Sequence, residues 1–152
     1  MKATFAAGCF WHVEEAFRGL RGATRTEVGF TGGTKENPTY EDVCSGKTGH
    51  AESVRVEYDP RRVSYSTLLK TFWGIHDPTS MNRQGNDVGS QYRSAIFYHN
   101  EAQRKAAASS MKSEQKRHTG RIVTEIVKAP RFFPAEEYHQ GYLRKRGFPR
   151  VC

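Results

Sequence analysis

Apolar positions along the chain follow two periods, two and about three and a half, and the switches between them divide it into elements. Ala3-Thr4-Phe5-Ala6-Ala7 predicts a short buried strand over 3–7, ended by Gly8. The period then lengthens, and Phe10 to Arg18 predicts a helix over 10–18, broken by Gly19 and Gly22. The β-branched run 24–31 predicts a strand. His50 to Tyr58 predicts another, because Val54 and Val56 alternate with Arg55 and Glu57 before Asp59-Pro60 ends it. Ser64 is a helix cap, and Leu68, Leu69, Phe72 and Ile75 fall on one face of the helix that follows. Residues 94–98 predict a strand, Asn100 caps a helix to about 117, and 122–127 predict a strand. Pro134 predicts the start of a short helix ending at Tyr142.

The two intervals with no apolar period, 32–49 and 76–91, are rich in Gly, Asn, Asp and Pro and predict long loops. Long loops without structure of their own are often functional. The order β-α-β-β-α-β, then α-β, predicts an α+β fold. It is a two-layer α/β sandwich with a ferredoxin-like core, in which strands 24–31 and 50–58 pair antiparallel around the first loop. With 152 residues, a single domain over 1–152 is expected. Its residues 143–152 form a mobile C-terminal tail ending at Cys152.

Composition narrows the class. The net charge is +8, but the basic residues are scattered and no aromatic nucleic-acid motif accompanies them. A solvated basic face is favoured over nucleic-acid binding. No apolar run approaches the length of a membrane span, and the N-terminus has no signal-peptide pattern, so a cytoplasmic location without membrane association is expected. The three cysteines, Cys9, Cys44 and Cys152, include no CxxC pair and leave an odd thiol, which fits a reducing compartment. The histidines and cysteines lack ligand spacing, so no metal is expected.

Cys9 carries the sharpest chemistry. It stands where a strand turns into a helix, and the unpaired N–H groups of that helix start favour thiolate over thiol. Such fields lower a cysteine pKa from about 8.5 to roughly 3.5–7.5. Phe10 and Trp11 follow at once, an aromatic wall beside the sulfur. A small core hydrophobe is the plainer alternative for Cys9. Glu52 lies at the mouth of a strand. Facing a pocket it becomes a proton donor near neutral pH, and taken alone it reads as an exposed strand-edge glutamate. Tyr40 lies in the first loop, and Asp87 and Tyr92 in the second are placed to hold a polar group or a water. A thiol on a mobile tail, as at Cys152, can condense with a sulfenic acid to a disulfide. Cys44 is an alternative partner.

Seven short motifs occur in order: Gly8-Cys9-Phe10-Trp11, Asn37-Pro38-Thr39-Tyr40, Gly49-His50-Ala51-Glu52, His76-Asp77-Pro78-Thr79, Gln84-Gly85-Asn86-Asp87, Gln91-Tyr92-Arg93-Ser94 and His139-Gln140-Gly141-Tyr142-Leu143. Through them the chain resembles the peptide methionine sulfoxide reductase A family over essentially its whole length. The resemblance implies repair of oxidised proteins by thiol-dependent reduction of methionine S-sulfoxide, free or in proteins, without metal or organic cofactor. It implies Cys9 as nucleophile, Glu52 as proton donor, and Tyr40 and Tyr92 as holders of the sulfoxide oxygen. Phe10 and Trp11 take the substrate methyl group, Asp87 the backbone side of the substrate, and Tyr142 is a pocket neighbour. It also implies that Cys152 resolves the Cys9 sulfenic acid as a disulfide, which thioredoxin reduces; a monomeric enzyme is expected.

Two features depart from the family pattern. The approach to Cys152 is Phe148-Pro149-Arg150-Val151 in place of a glycine- or tyrosine-rich run, and His12 stands where a smaller residue is common. Two other classes compete with the leading one. A basic nucleic-acid-binding domain on the same scaffold shows steep salt dependence and survives loss of Cys9. A thiol hydrolase needs a histidine base, for which His50 and His76 are the candidates.

Overall fold

The structure is a computed structural model and describes residues 1–145. Strand β1 (Lys2–Ala7) leads into helix α1 (Phe10–Arg18), strand β2 (Ala23–Thr31), short helix α2 (Tyr40–Cys44) and strand β3 (Ala51–Tyr58). Helix α3 (Tyr65–Gly74) follows, then a small hairpin of β4 (Arg83–Gln84) and β5 (Asp87–Val88). The chain continues through a 3-10 turn (Ser90–Tyr92), strand β6 (Ser94–Tyr98), helix α4 (Glu101–Gln115) and strand β7 (Glu125–Lys128). It ends with β8 (Phe133–Pro134), a second 3-10 turn (Glu137–His139) and helix α5 (Tyr142–Lys145).

The main sheet has the order β7-β6-β1-β3-β2-β8. Its four middle strands are the ferredoxin-like core: β1 lies between β3 and β6 and is antiparallel to both, and β2 pairs antiparallel with β3. β7 adds parallel to β6 through α4, and β8 adds antiparallel to β2 at the other edge. Helices α1, α3 and α4 form one layer on the sheet. The core lies between helix layer and sheet, where Phe5 stacks on Phe17 at 4.9 Å and meets Phe72 at 5.3 Å. Each such fully buried side chain contributes about 1.5–3 kcal/mol of transfer free energy. The opposite face is thinner, with Ala6, Ala51, Ala95 and Phe97 as its buried set.

The structure departs from the sequence reading at five places. The first loop contains α2, started by a Thr39–Asp42 capping box in which Thr39 Oγ1 accepts the Asp42 N–H at 3.1 Å. The second loop contains the β4–β5 hairpin. The expected strand 122–127 begins only at Glu125, because the backbone amides of Ile122 and Val123 are bonded to Gln115 Oε1 and to the Pro78 carbonyl. The expected helix from Pro134 to Tyr142 does not form. Gln140 bonds to both the N–H and C=O of Val28 at 2.9 Å and so ties this segment to the sheet edge. Residues 143–145, read as tail, belong to α5, and Leu143 is buried. The rest of the expected tail, with Cys152, lies outside the described residues.

Candidate active site

β1 delivers the chain to Gly8, whose φ of +95° is in the left-handed region that favours glycine. The turn places Cys9 at the N-cap of α1. The Cys9 carbonyl accepts the N–H groups of His12 and Val13, while the amides of Trp11 and His12 face the sulfur. These amides act in the direction the sequence implies, but they do not win. Burial comes first, and the charge of Glu52 second; together they push the thiol up to about 12. The expectation of a lowered Cys9 pKa is therefore corrected for the free site: a half-buried sulfur beside a carboxylate loses more by ionising than the helix start returns.

Glu52 is not an exposed edge residue. It sits on the inner strand β3 and is 1% exposed. Its Oε1 accepts the Phe10 N–H, the first amide of α1, at 3.2 Å. Its Oε2 has no hydrogen-bond partner among the described residues. Burial, with the nearby charge of Asp87 adding to it, lifts the Glu52 pKa to about 8 against the pull of the Phe10 amide. At neutral pH this carboxyl keeps its proton. That removes the charge opposing Cys9 and leaves an acid beside the sulfur.

Two phenols share the site. The Tyr40 hydroxyl, at the start of α2, hydrogen-bonds the Cys44 thiol and feels the charge of Glu52. Tyr92, closing the 3-10 turn, feels the charges of Glu52, Cys44, Asp87 and Cys9. Burial, then its bond to Cys44, raises Tyr40, while burial and then Glu52 raise Tyr92, so both remain neutral hydroxyls.

The aromatic group is larger than the sequence motif. Phe10 is fully buried and packs on Phe30, Tyr40 and His139. Trp11 is half-buried and stacks on Tyr142 at 3.8 Å with 9° between the planes. Its indole N–H donates to His139 Nδ1 at 3.0 Å. His139 and Gln84 are the residues that sequence reasoning missed; both lie in quoted motifs, but nothing in the motifs marks them as buried or facing Cys9. Beside Cys9 a cavity of about 240 Å³ is lined by Ala7, His12, Val13, Ile75, Gln84 and Asp87. His12, unexplained by the sequence, is part of its wall.

The hydrolase candidates are elsewhere engaged. His50 accepts the Gly33 N–H on Nδ1, and its Nε2 bonds the Lys35 carbonyl. His76 lies between the Phe72 carbonyl and Ser94 Oγ, and burial pushes it down to about 4. Among the described residues no group of three or more His, Cys, Asp or Glu is placed to hold a metal. No described helix is long and apolar enough to cross a membrane.

A cysteine at a helix start, an acid kept protonated beside it, two neutral phenols and an aromatic wall define a thiol oxidoreductase on a ferredoxin-like sheet. Known proteins make that class specific. The family model of peptide methionine sulfoxide reductase matches residues 1–152. A peptide methionine sulfoxide reductase MsrA of Geobacter sulfurreducens is 60% identical over 148 residues, covering 96% of this chain and 91% of that one. The reduced form of Saccharomyces cerevisiae Mxr1 superposes with a TM-score of 0.93 at 36% identity, covering 100% of this chain and 88% of that chain. Mxr1 in complex with Trx2 matches with a TM-score of 0.67 at 27% identity, over 93% of this chain and 84% of that chain. The chain belongs to the peptide methionine sulfoxide reductase family, and its activity is the thiol-dependent reduction of methionine sulfoxide.

Proposed function

We propose that the enzyme reduces the S epimer of methionine sulfoxide, free or in proteins, with Cys9 as nucleophile and Glu52 as general acid. The observation that carries this reading is the buried Glu52 carboxyl, whose Oε1 accepts the first amide of the helix that Cys9 starts and whose pKa burial raises. The Cys9 sulfur attacks the electrophilic sulfoxide sulfur. Glu52 gives its proton to the sulfoxide oxygen and recovers one from the Cys9 thiol. The oxygen passes to Cys9. Methionine leaves, reduced by two electrons, and Cys9 becomes a sulfenic acid, oxidised by two. The neutral hydroxyls of Tyr40 and Tyr92 hold the oxygen as it gains charge. Phe10 and Trp11 receive the methyl group, with Tyr142 behind Trp11, and Asp87 at the mouth of the Cys9 cavity binds the backbone side of the substrate.

Cys152 then attacks the sulfenic sulfur, water leaves, and a Cys9–Cys152 disulfide forms. Thioredoxin reduces it, a donor supported by the complex of the yeast relative with Trx2. The electrons come from this external dithiol, with no prosthetic group, and the enzyme acts as a cytoplasmic monomer. The test is a single turnover with each epimer of a methionine sulfoxide peptide, without reductant, followed by mass analysis of the protein. One methionine per chain from the S epimer and none from the R epimer is expected. Formation of methionine by a folded Cys9→Ser enzyme would overturn the reading.

A further inference from the structure

Glu14 lies one and a half turns along α1 from Cys9 and takes no part in the chemistry above. It is 1% exposed. Its Oε1 accepts the Gly141 N–H at 2.8 Å, and its Oε2 accepts the Thr26 hydroxyl of β2 at 3.0 Å. The neighbouring cation, Arg18, is bonded to Glu15 at 2.8 Å. A buried carboxylate held by hydrogen bonds to an amide and a hydroxyl is costly unless its geometry is kept. Here the geometry joins the nucleophile's helix to the last turn of the described chain.

Gly141 is a pivot. Its φ is +62°, and a Cβ there would come within 3.0 Å of the Arg18 guanidinium. Upstream the chain is anchored without Glu14, by Gln140 on Val28 and by His139 on the Trp11 indole. Downstream lies α5, whose Tyr142 stacks on Trp11, and then the sequence that leads to Cys152. The Gly141 amide thus stands immediately before α5, after which the sequence runs on to Cys152.

We propose that Glu14 is a positioning residue for the resolving step: by holding the Gly141 amide, its buried carboxylate fixes the direction in which the chain leaves toward Cys152. The inference rests on Cys152 being the resolving thiol. Because Trp11 keeps its bond to His139, loss of Glu14 should spare the attack on sulfoxide and slow disulfide formation. A misplacement of reacting groups by about 1 Å costs on the order of 100-fold, so a slowing of roughly 10- to 100-fold is expected.

The experiment is a rapid-quench single turnover with a methionine sulfoxide peptide that follows methionine release and disulfide formation separately. Glu14→Ala should release methionine close to the wild-type rate and form the disulfide slowly. Glu14→Gln, which keeps an oxygen for the Gly141 amide, should restore both steps. If Glu14→Ala does not fold, Glu14→Asp, too short to span Thr26 and Gly141 together, should show the same selective slowing. Equal slowing of both steps, or a wild-type disulfide rate in a folded variant, overturns the inference. Cys152→Ser run in parallel separates the two failures. If it still loses its sulfenic acid at the wild-type rate, the assignment of Cys152 has failed. If it stalls while Glu14→Ala resolves normally, only the role of Glu14 has failed.

Discussion

Burial of Glu52, with the charge of Asp87 adding to it, sets the pH behaviour. Glu52 is raised from the ordinary range near 4.3 to about 8, so the protonated, productive form dominates at neutral pH. The rate of methionine release should therefore fall as pH rises through about 8. Glu52→Gln should lose that alkaline limb and about 10²–10⁴-fold in rate, the usual contribution of a general acid. A pH–rate profile on both proteins checks this; an unchanged alkaline limb counts against Glu52. The same shift acts on stability. Between about pH 4.3 and 8 the folded protein keeps a proton that the unfolded chain releases, so this group lowers stability as pH rises across that window. Glu52→Gln should gain more in Tm at pH 8.5 than at pH 5, read by thermal melts at the two pH values. Glu52's chemistry was not legible in its own neighbourhood of sequence. Strand alternation places its side chain on one face, but only the packing of α1 over that face makes it buried.

Among the elements, α1 is legible from its helical period and the glycines that bound it, α3 from the Ser64 cap and its apolar stripe, and α4 from the Asn100 cap. The C-terminal segment is not. Pro134 is a fair helix start, yet a side-chain bond from Gln140 to the β2 backbone, more than 100 residues away in sequence, ties the segment to the sheet, and only a 3-10 turn forms before α5. Helix α2 was hidden because it is one turn long, too short for a period. Its Thr39–Asp42 box is its main local support and sets where Tyr40 stands. Loss of such a cap costs about 1 kcal/mol. The role proposed for Tyr40, holding an oxygen that gains charge only in the transition state, predicts that Thr39→Ala lowers the Tm by a few degrees and lowers kcat more than it raises KM. A steady-state comparison with the wild type tests it; a pure rise in KM would place Tyr40 in substrate binding alone.

At the scale of the molecule, the order β6-β1-β3-β2 puts the ends of β1 and β3 side by side, so a residue early in the chain and one over 40 positions later form one site. The seven motifs are far apart in sequence for this reason. The proposed resolving thiol, Cys152, comes from the other end of the sequence. Attack and resolution are separate steps, so Cys152→Ser should still release one methionine. It should then stall with a trappable sulfenic acid on Cys9 and turn over with dithiothreitol but not with thioredoxin. Wild-type turnover with thioredoxin in this variant would direct attention to Cys44, which already touches the site through Tyr40.

The stacking of Trp11 on Tyr142 has an optical consequence. The chain has two tryptophans, and the other, Trp73, is buried with its indole N–H on Ser110 Oγ at 2.7 Å, away from the terminal segment. Trp11 is thus a built-in fluorophore whose emission reports whether α5 is seated, with Trp73 as a steady background. A Trp73→Phe enzyme would isolate the Trp11 signal, so that any change in its stacking on Tyr142 during turnover is read in real time without a label.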